Sequence, residues 1–229
     1  MTIIWGRAFK NCSALTEVAI PNRMTRIEMD VFSGCTSLTK ITLPDGVKMI
    51  DRCAFSDCIS LTGITIPDSV TRIDSSAFSG CASLTEITIP NRLTRIEPSV
   101  FSGCTSLTKI TLPDRLTEID VSAFQNCIAL TEIILPNSLT KIGGHAFENC
   151  TALTAINIPN SVTTIGYRAF QNCASLESIT IPAGVRVIDD DAFGGCHGLK
   201  AITVSRRYED DLSRIFSNID LSQITIHWI

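Results

Sequence analysis

The sequence lacks any long apolar run. A helix that spans a membrane needs about 20 consecutive apolar residues, and no segment of the 229-residue chain contains such a run. The opening residues MTIIWGRAF also lack the basic segment, the apolar stretch and the cleavage site of a signal peptide. We therefore expect no membrane insertion, and we expect any export to be directed by residues that this chain does not contain.

Neither sign of charge is in large excess. The 19 lysine and arginine residues and the 23 aspartate and glutamate residues are interspersed, and the formal net charge is -4. Proteins that bind nucleic acids carry a basic patch or stripe on one face. The composition therefore predicts no nucleic-acid partner.

The sequence also lacks the short motifs of common catalytic sites. It contains no glycine-rich phosphate loop, no HExxH metal motif and no nucleophile elbow. The three histidines, His145, His197 and His227, occupy different positions of the repeated pattern described below, so they cannot easily share a metal ion or activate one nucleophile. We predict that the protein is not an enzyme and that it uses no cofactor and no metal ion.

What the sequence does contain is a repeat of 23 residues. All ten phenylalanines, from Phe9 to Phe216, follow one another at this spacing. Leucines from Leu15 to Leu199 and eight of the nine prolines, from Pro21 to Pro182, keep the same spacing. A fixed period of about 20 to 50 residues indicates a solenoid, in which each coil packs mainly on its neighbours. The length predicts a single solenoid of about ten coils.

One coil can be interpreted residue by residue. Residues 84–104 read LTEITIPNRLTRIEPSVFSGC, and Ile87 and Ile89 alternate with Glu86 and Thr88. This alternation predicts a short strand with the isoleucines inward and the polar residues outward. Pro90 ends the strand because it lacks the N–H that strand pairing needs. A second short extended segment and a helical turn complete the coil, and stacking of the coils predicts one long parallel sheet.

The two ends differ from the regular coils. We predict a solenoid over residues 1–204, which begins inside a repeat, and a degenerate capping repeat over residues 205–229. Ile3 and Trp5 stand where other coils have polar residues, so the first edge is apolar. We expect that upstream coils have been removed or that a partner covers this edge, and end-to-end self-association through it is a second expectation.

In the capping repeat, the apolar pattern is shifted. Leu221, Ile224 and Ile226 resume the strand pattern one residue early. An amphipathic helix is predicted just before them, around residues 211–217. We interpret this segment as a closing cap.

The cysteines form a column of their own. Nine of the ten, from Cys12 to Cys196, keep the 23-residue spacing and are predicted to face inward as reduced thiols. An odd number in one column argues against a disulfide framework, and zinc needs ligands that converge on one point. Cys53 stands apart in a polar column with Asp30 and Ser76, so we predict that it is an exposed thiol that could crosslink two molecules.

A column of acidic residues follows the second extended segment. Its members are Glu28, Asp51, Asp74, Glu97 and Asp120. The neighbouring outward column is basic and contains Arg26, Arg72, Arg95 and Lys141. We interpret the acidic column as a solvated face whose like charges are offset by these cations, rather than as a pair of catalytic carboxylates.

The outward residues of the main strands form the candidate binding surface, which we call the broad face. Its first column alternates in charge, and its second is a nearly uniform threonine ladder. The predicted binding residues are Glu17, Lys40, Thr42, Thr65, Glu86, Thr88, Lys109, Thr111, Glu132, Ile134 and Asn157. We expect specificity to lie where the regular pattern is interrupted, at Glu132, Ile134, Ala155 and Asn157.

The repeat resembles that of a known family. Residues 61–81 follow the pattern Leu-x-x-Ile-x-Ile-Pro-x-x-Val-x-x-Ile-x-x-x-Ala-Phe-x-x-Cys, and this pattern recurs about nine times. It is similar to the BspA-like, or treponemal-type, leucine-rich repeat. The resemblance implies a right-handed leucine-rich-repeat solenoid, with a parallel sheet on one face and short extended segments and helical turns on the other. It also implies a cell-surface or secreted adhesin that binds host or partner-cell proteins.

Two other functions are compatible with the sequence. A solenoid without its own ligand could act as a spacer between a surface and another domain. A flat threonine surface also resembles that of ice-binding solenoids, but the column beside the threonines holds glutamate and lysine instead of a second threonine row. The threonine ladder has a structural interpretation too, because a β-branched residue suits an exposed strand.

Overall fold

The computed structural model of the protein describes residues 4–229, so that Ile3 lies outside the described residues. The chain forms a parallel β-solenoid of about nine turns with a spacing of about 23 residues, as the repeat predicts. Equivalent residues of successive coils lie side by side: Ile41, for example, pairs with Val18 on one side and with Ile64 on the other.

The main strands form the broad face. Their bounds are Glu17–Ala19, Lys40–Thr42, Gly63–Thr65, Glu86–Thr88, Lys109–Thr111, Glu132–Ile133, Ala155–Ile156, Ser178–Thr180, Ala201–Val204 and Thr225–Trp228. The hydrogen-bonded ladder breaks after the third, fifth and seventh of these strands, so it forms four parallel segments instead of the one long sheet predicted. Each strand offers only two to four residues, and a loss of one or two bonds is therefore enough to interrupt the ladder.

The second extended segment of each coil forms a narrower parallel ladder, which we call the narrow ladder. Its two-residue strands are Arg26–Ile27, Met49–Ile50, Arg72–Ile73, Arg95–Ile96, Glu118–Ile119, Lys141–Ile142, Thr164–Ile165 and Val187–Ile188. This ladder breaks once, after the third strand. In every one of these strands the isoleucine is buried, so the sequence alternation is reproduced on both sides of the coil.

The core is a column of stacked rings. The ten phenylalanines lie with neighbouring ring centroids 5.1 to 5.8 Å apart and with nearly parallel planes. From Phe32 to Phe216 the side chains are almost fully buried. Beside them, the buried cysteine Sγ atoms donate hydrogen bonds to phenylalanine carbonyls, as from Cys81 to the carbonyl oxygen of Phe55 at 3.2 Å.

The segment after each second strand, where a helical turn was predicted, consists of turns without a helix. Two residues in each of these segments have a left-handed backbone. One set contains only Gly, Asn and Asp, for example Asn126 with φ of 61°, and these residues tolerate that conformation. The other set contains Cys53, Ser76 and His145 with φ between 55° and 58°, where such residues are uncommon. Their N–H groups bond to the next coil, as from Ser76 to the carbonyl oxygen of Pro98 at 2.9 Å, which holds the conformation in place.

The capping segment differs from its prediction. A 3₁₀-helix covers Arg206–Asp211 and an α-helix covers only Leu212–Ile215, so the expected helix at 211–217 begins earlier and is mostly 3₁₀. A further 3₁₀ turn covers Leu221–Gln223. Ile226 pairs with Ile202, a spacing of 24 residues, so the strand pattern resumes one residue late and not one residue early. The wrong register arose because Leu221 belongs to the 3₁₀ turn and does not occupy the leucine column.

Candidate functional site

The broad face carries every predicted binding residue on its exposed side. All are exposed to solvent, while the residues between them, such as Ile87 and Ile110, are buried. The alternation follows from the strand geometry, in which successive side chains point to opposite faces. Ile134 and Asn157 lie immediately beyond the ends of their two-residue strands.

Opposite charges lie directly side by side in the first column. Lys40 pairs in register with Glu17 and with Gly63. Glu86 pairs in register with Lys109. Within residues 4–229, none of these charged side chains forms an ion pair with another residue. The charges of the broad face therefore remain available to a partner.

The charged side chains of the narrow ladder form ion pairs with one another or with the neighbouring acidic column. The Nη2 atom of Arg26 lies 2.5 Å from Oδ2 of Asp51, and Arg95 forms the equivalent ion pair with Asp120. The hydrogen bond to Asp120 raises the pKa of Arg95 above its usual value. The Nζ atom of Lys141 likewise lies 2.6 Å from Oε1 of Glu118.

This pairing confirms that neighbouring cations offset the acidic column, but the solvated interpretation is wrong for two of its members. Asp51 is 8% exposed and Asp120 is 6% exposed. The burial of these carboxylates is compensated, because each forms an ion pair with an arginine and also accepts a hydrogen bond from the next backbone N–H, at 2.8 Å in both cases. The narrow ladder is therefore a structural network.

A shallow hollow of about 860 Å³ lies on the broad face. Gly63 is one of its lining residues, and a Cβ atom there would meet nothing within 4 Å. The predicted residues that border it are Lys40, Thr42, Thr65, Glu86, Thr88, Lys109 and Thr111. Glu17 lines a second hollow beside it, whereas Glu132, Ile134 and Asn157 lie farther along the face.

Some residues of the hollow were not predicted. Asp45 and Asp68 follow the strands and add acidic groups at its border. Gly63 itself provides the space. The sequence signal for the hollow was present, because glycine is the only residue without a side chain in the charged column.

A second row of threonines runs beside the strands. Thr39, Thr62, Thr85 and Thr108 are exposed, and each donates its hydroxyl to the threonine carbonyl of the preceding coil at 3.1 to 3.4 Å. This row was not predicted from the sequence. Its hydroxyls are bound to backbone, whereas among the described residues those of the ladder from Thr42 to Thr111 form no hydrogen bond.

The cysteines follow the prediction except at Cys12 and Cys53. From Cys58 to Cys196 the column is buried, and burial raises the pKa of the Cys58 thiol to about 12. Cys12 is exposed, contrary to prediction, because no described residue packs on that side of the first coil. Cys53 is half-buried and not fully exposed, as are Ser76 and Ser99 in the same column.

Chemistry-bearing groups do not converge elsewhere in the described part of the chain. Within residues 4–229, no three His, Cys, Asp or Glu side chains are placed to hold a metal ion. His145 contacts Glu148, with Nδ1 2.9 Å from Oε2. None of the described helices is both long enough and apolar enough to cross a bilayer.

Comparison with known proteins agrees with the geometry. The model of the BspA type leucine-rich repeat region matches residues 2–131 and 117–228, with six copies. There is no significant match among curated proteins. Solved structures of other leucine-rich repeat proteins are also similar, among them the following three.

A leucine-rich repeat protein of Bacteroides ovatus is 25% identical over 99% of this chain and 88% of its own, with a TM-score of 0.53. The leucine-rich repeat protein of T. pallidum is 30% identical over 72% of this chain and 86% of its own, with a TM-score of 0.62. A leucine-rich cell surface protein of Faecalibacterium prausnitzii is 28% identical over 98% of this chain and 82% of its own, with a TM-score of 0.51. The chain therefore belongs to the family of BspA-type leucine-rich repeat proteins.

Proposed function

We propose that the protein is a non-enzymatic binding module that recognises a protein partner through its broad face. The observation that carries this proposal is the contrast between the two sets of charges. Arg26, Arg95 and Lys141 are neutralised within the molecule, whereas Glu86 and Lys109 lie side by side without forming an ion pair. Unpaired charges on a rigid surface give specificity and speed to the association with a complementary partner.

The shape of the broad face supports the same proposal. Solenoids commonly bind partners along an extended face built by successive coils. The hollow at Gly63 brings together side chains from the second to the fifth main strand. Contacts spread over several coils can add up to useful affinity even when each is weak.

We propose further that the module acts at the cell surface as part of an adhesin. The support is indirect: the similar protein of Faecalibacterium prausnitzii is a cell surface protein by its description, and the family resemblance implies adhesion. A spacer without its own ligand is the alternative outcome of the test below.

The test is binding of the purified protein to a panel of immobilised extracellular-matrix and mucosal proteins. A triple variant with Glu86→Ala, Lys109→Ala and Glu132→Ala removes two acidic groups and one basic group from the broad face. The matched control carries Lys48→Ala, Asp189→Ala and Asp210→Ala, which removes the same charges from exposed positions outside the broad face. Circular dichroism and urea unfolding establish that both variants remain folded.

Saturable binding that is lost in the broad-face variant and kept in the control would support the proposal. Binding that survives in the broad-face variant would show that the partner contacts another surface. If wild-type protein binds no member of the panel, the spacer function replaces the adhesin function.

A further inference from the structure

Ile134 departs from the pattern of its column. Equivalent positions of other coils hold Thr88, Thr111 and Thr180. Its side chain is 83% exposed, more than any other large hydrophobic residue in the described chain; the next value, for Trp5, is 72%. The core does not require an isoleucine here, because the same coil already buries Ile133 and Leu135 inward.

The neighbours of Ile134 leave it protruding from the surface. Glu132, two residues earlier, pairs in register with Ala155, whose methyl group is the shortest side chain along this part of the charged column. Asn157 lies in the following coil, just beyond its two-residue strand. The strands at 132–133 and 155–156 pair with each other alone, because the ladder breaks on both sides of them.

Unpaired charges lie in the column next to this apolar side chain, both on the same side of it. Lys109 lies in the preceding coil and Glu132 in the same coil, and both are exposed. Within residues 4–229, neither forms an ion pair. An apolar centre with a charged, solvated rim is the common arrangement of a protein interface, in which a few central residues supply most of the binding energy.

From these observations we propose that Ile134 is the apolar anchor of the broad face, which deepens the proposed function and rests on it. The partner is a protein surface with an apolar pocket that takes the Ile134 side chain. Complementarity to Lys109 and Glu132 requires an acidic residue and a basic residue next to each other on one side of that pocket. Burial of the isoleucine removes its apolar surface from water, and the two charged contacts fix the orientation of the partner.

The anchor can be removed by a change that restores the repeat. Ile134→Thr gives this coil the residue of its column, so it should fold with unchanged urea stability. The control is Ile128→Thr, at an exposed isoleucine outside the broad face whose column also holds Thr105 and Thr151. Ile134→Leu keeps the apolar side chain and serves as the conservative variant.

The experiment measures the affinity of these variants for the panel member that binds wild-type protein. We expect Ile134→Thr to weaken binding by about tenfold or more, while Ile128→Thr and Ile134→Leu stay within about twofold of wild type. Binding that is lost in the Glu86, Lys109, Glu132 triple variant but kept in Ile134→Thr would overturn the anchor and leave the proposed function intact. Absence of wild-type binding to every panel member would overturn both.

Discussion

Lys10 and Asp30, which belong to successive coils, form an ion pair in which the Nζ atom lies 3.1 Å from Oδ1. Arg7 also donates from Nε to Oδ2 of the same carboxylate at 3.2 Å. Burial raises the pKa of Asp30, but the hydrogen bonds and charges of Lys10 and Arg7 together outweigh it, and the pKa lies below its ordinary value. The first coil is therefore held to the second through an ionised carboxylate.

This ion pair predicts a pH-dependent stability. A group whose pKa is depressed by folding stabilises the protein above its unfolded pKa, about 3.9 for aspartate, and this contribution is lost as the pH falls through the folded-state value. We expect Asp30→Asn to lower the free energy of unfolding by about 1 kcal/mol at neutral pH. In urea unfolding, the difference from wild type should stay constant down to about pH 5 and shrink below about pH 4. A difference that does not change with pH would contradict the role of the charge.

The phenylalanine stack predicts large and position-dependent effects of truncation. Phe124 is fully buried between Phe101 and Phe147, with ring centroids 5.5 and 5.2 Å away. Phe124→Ala should lower the free energy of unfolding by about 3 to 5 kcal/mol, because it removes apolar contacts and leaves a cavity. Phe9→Ala is the control, since Phe9 is only partly buried and stacks on one ring. If the two variants lost equal amounts of unfolding free energy, the loss would not come from stacking between two neighbouring rings.

The core of each coil could be predicted from the sequence because its signal is local. Alternating residues such as Ile87 and Ile89 place their side chains on one side of a strand. The same alternation recurs in about nine coils. The exposed positions of Glu86 and Lys109 followed from the same rule. Their side-by-side placement followed from stacking coils at the repeat length.

Features that depend on contacts between coils could not be predicted. Ser76 and His145 adopt a left-handed backbone because the next coil holds their N–H groups, which no local propensity indicates. Cys12 looked equivalent to Cys58, yet its environment depends on what packs against the first coil. At the cap, Leu221 lies in a 3₁₀ turn, and the pairing of Thr225–Trp228 with Ala201–Val204 decides the register.

Thiol accessibility predicts the reaction with Ellman's reagent. Cys12 is exposed and Cys53 is half-buried, while the other cysteines are buried. In native protein, one thiol should therefore react quickly and a second more slowly, and the remainder should react only after unfolding. Cys12→Ser should remove the fast phase, and Cys53→Ser the slower one. Fast reaction of more than two thiols would mean that the cysteine column opens in the native state.

The buried thiols also predict a loss of stability in alkali. Burial raises the pKa of Cys58, Cys104 and Cys150 to about 12. A group whose pKa is raised by folding stabilises the folded state fully below its unfolded pKa, which is about 8.5 for a thiol, and the stabilisation is lost as the pH rises toward the folded value. The free energy of unfolding should fall between about pH 9 and pH 11, by up to about 1.4 kcal/mol per pH unit for each such thiol. Cys104→Ala should make the pH dependence shallower, and an unchanged slope would contradict the assignment.

Two glycines of the solenoid should respond in opposite ways to an added methyl group. At Gly143 a Cβ atom would lie 2.7 Å from the carbonyl carbon of Asp120 and 2.8 Å from the nitrogen of Val121, whereas at Gly63 it would meet nothing within 4 Å. Gly143→Ala should therefore lower the free energy of unfolding by about 1 to 3 kcal/mol, because backbone must move. Gly63→Ala should be neutral or slightly stabilising, since alanine restricts the unfolded chain.

The column of Gly143 makes this test informative. Its equivalents in earlier coils are acidic, as at Glu97 and Asp120, so the repeat alone would treat Gly143→Asp as a restoration of the pattern. The close approach of the coils predicts that Gly143→Asp destabilises at least as much as Gly143→Ala, in urea unfolding at neutral pH. If Gly143→Asp were as stable as wild type, the repeat pattern would outweigh the local backbone contact at this position.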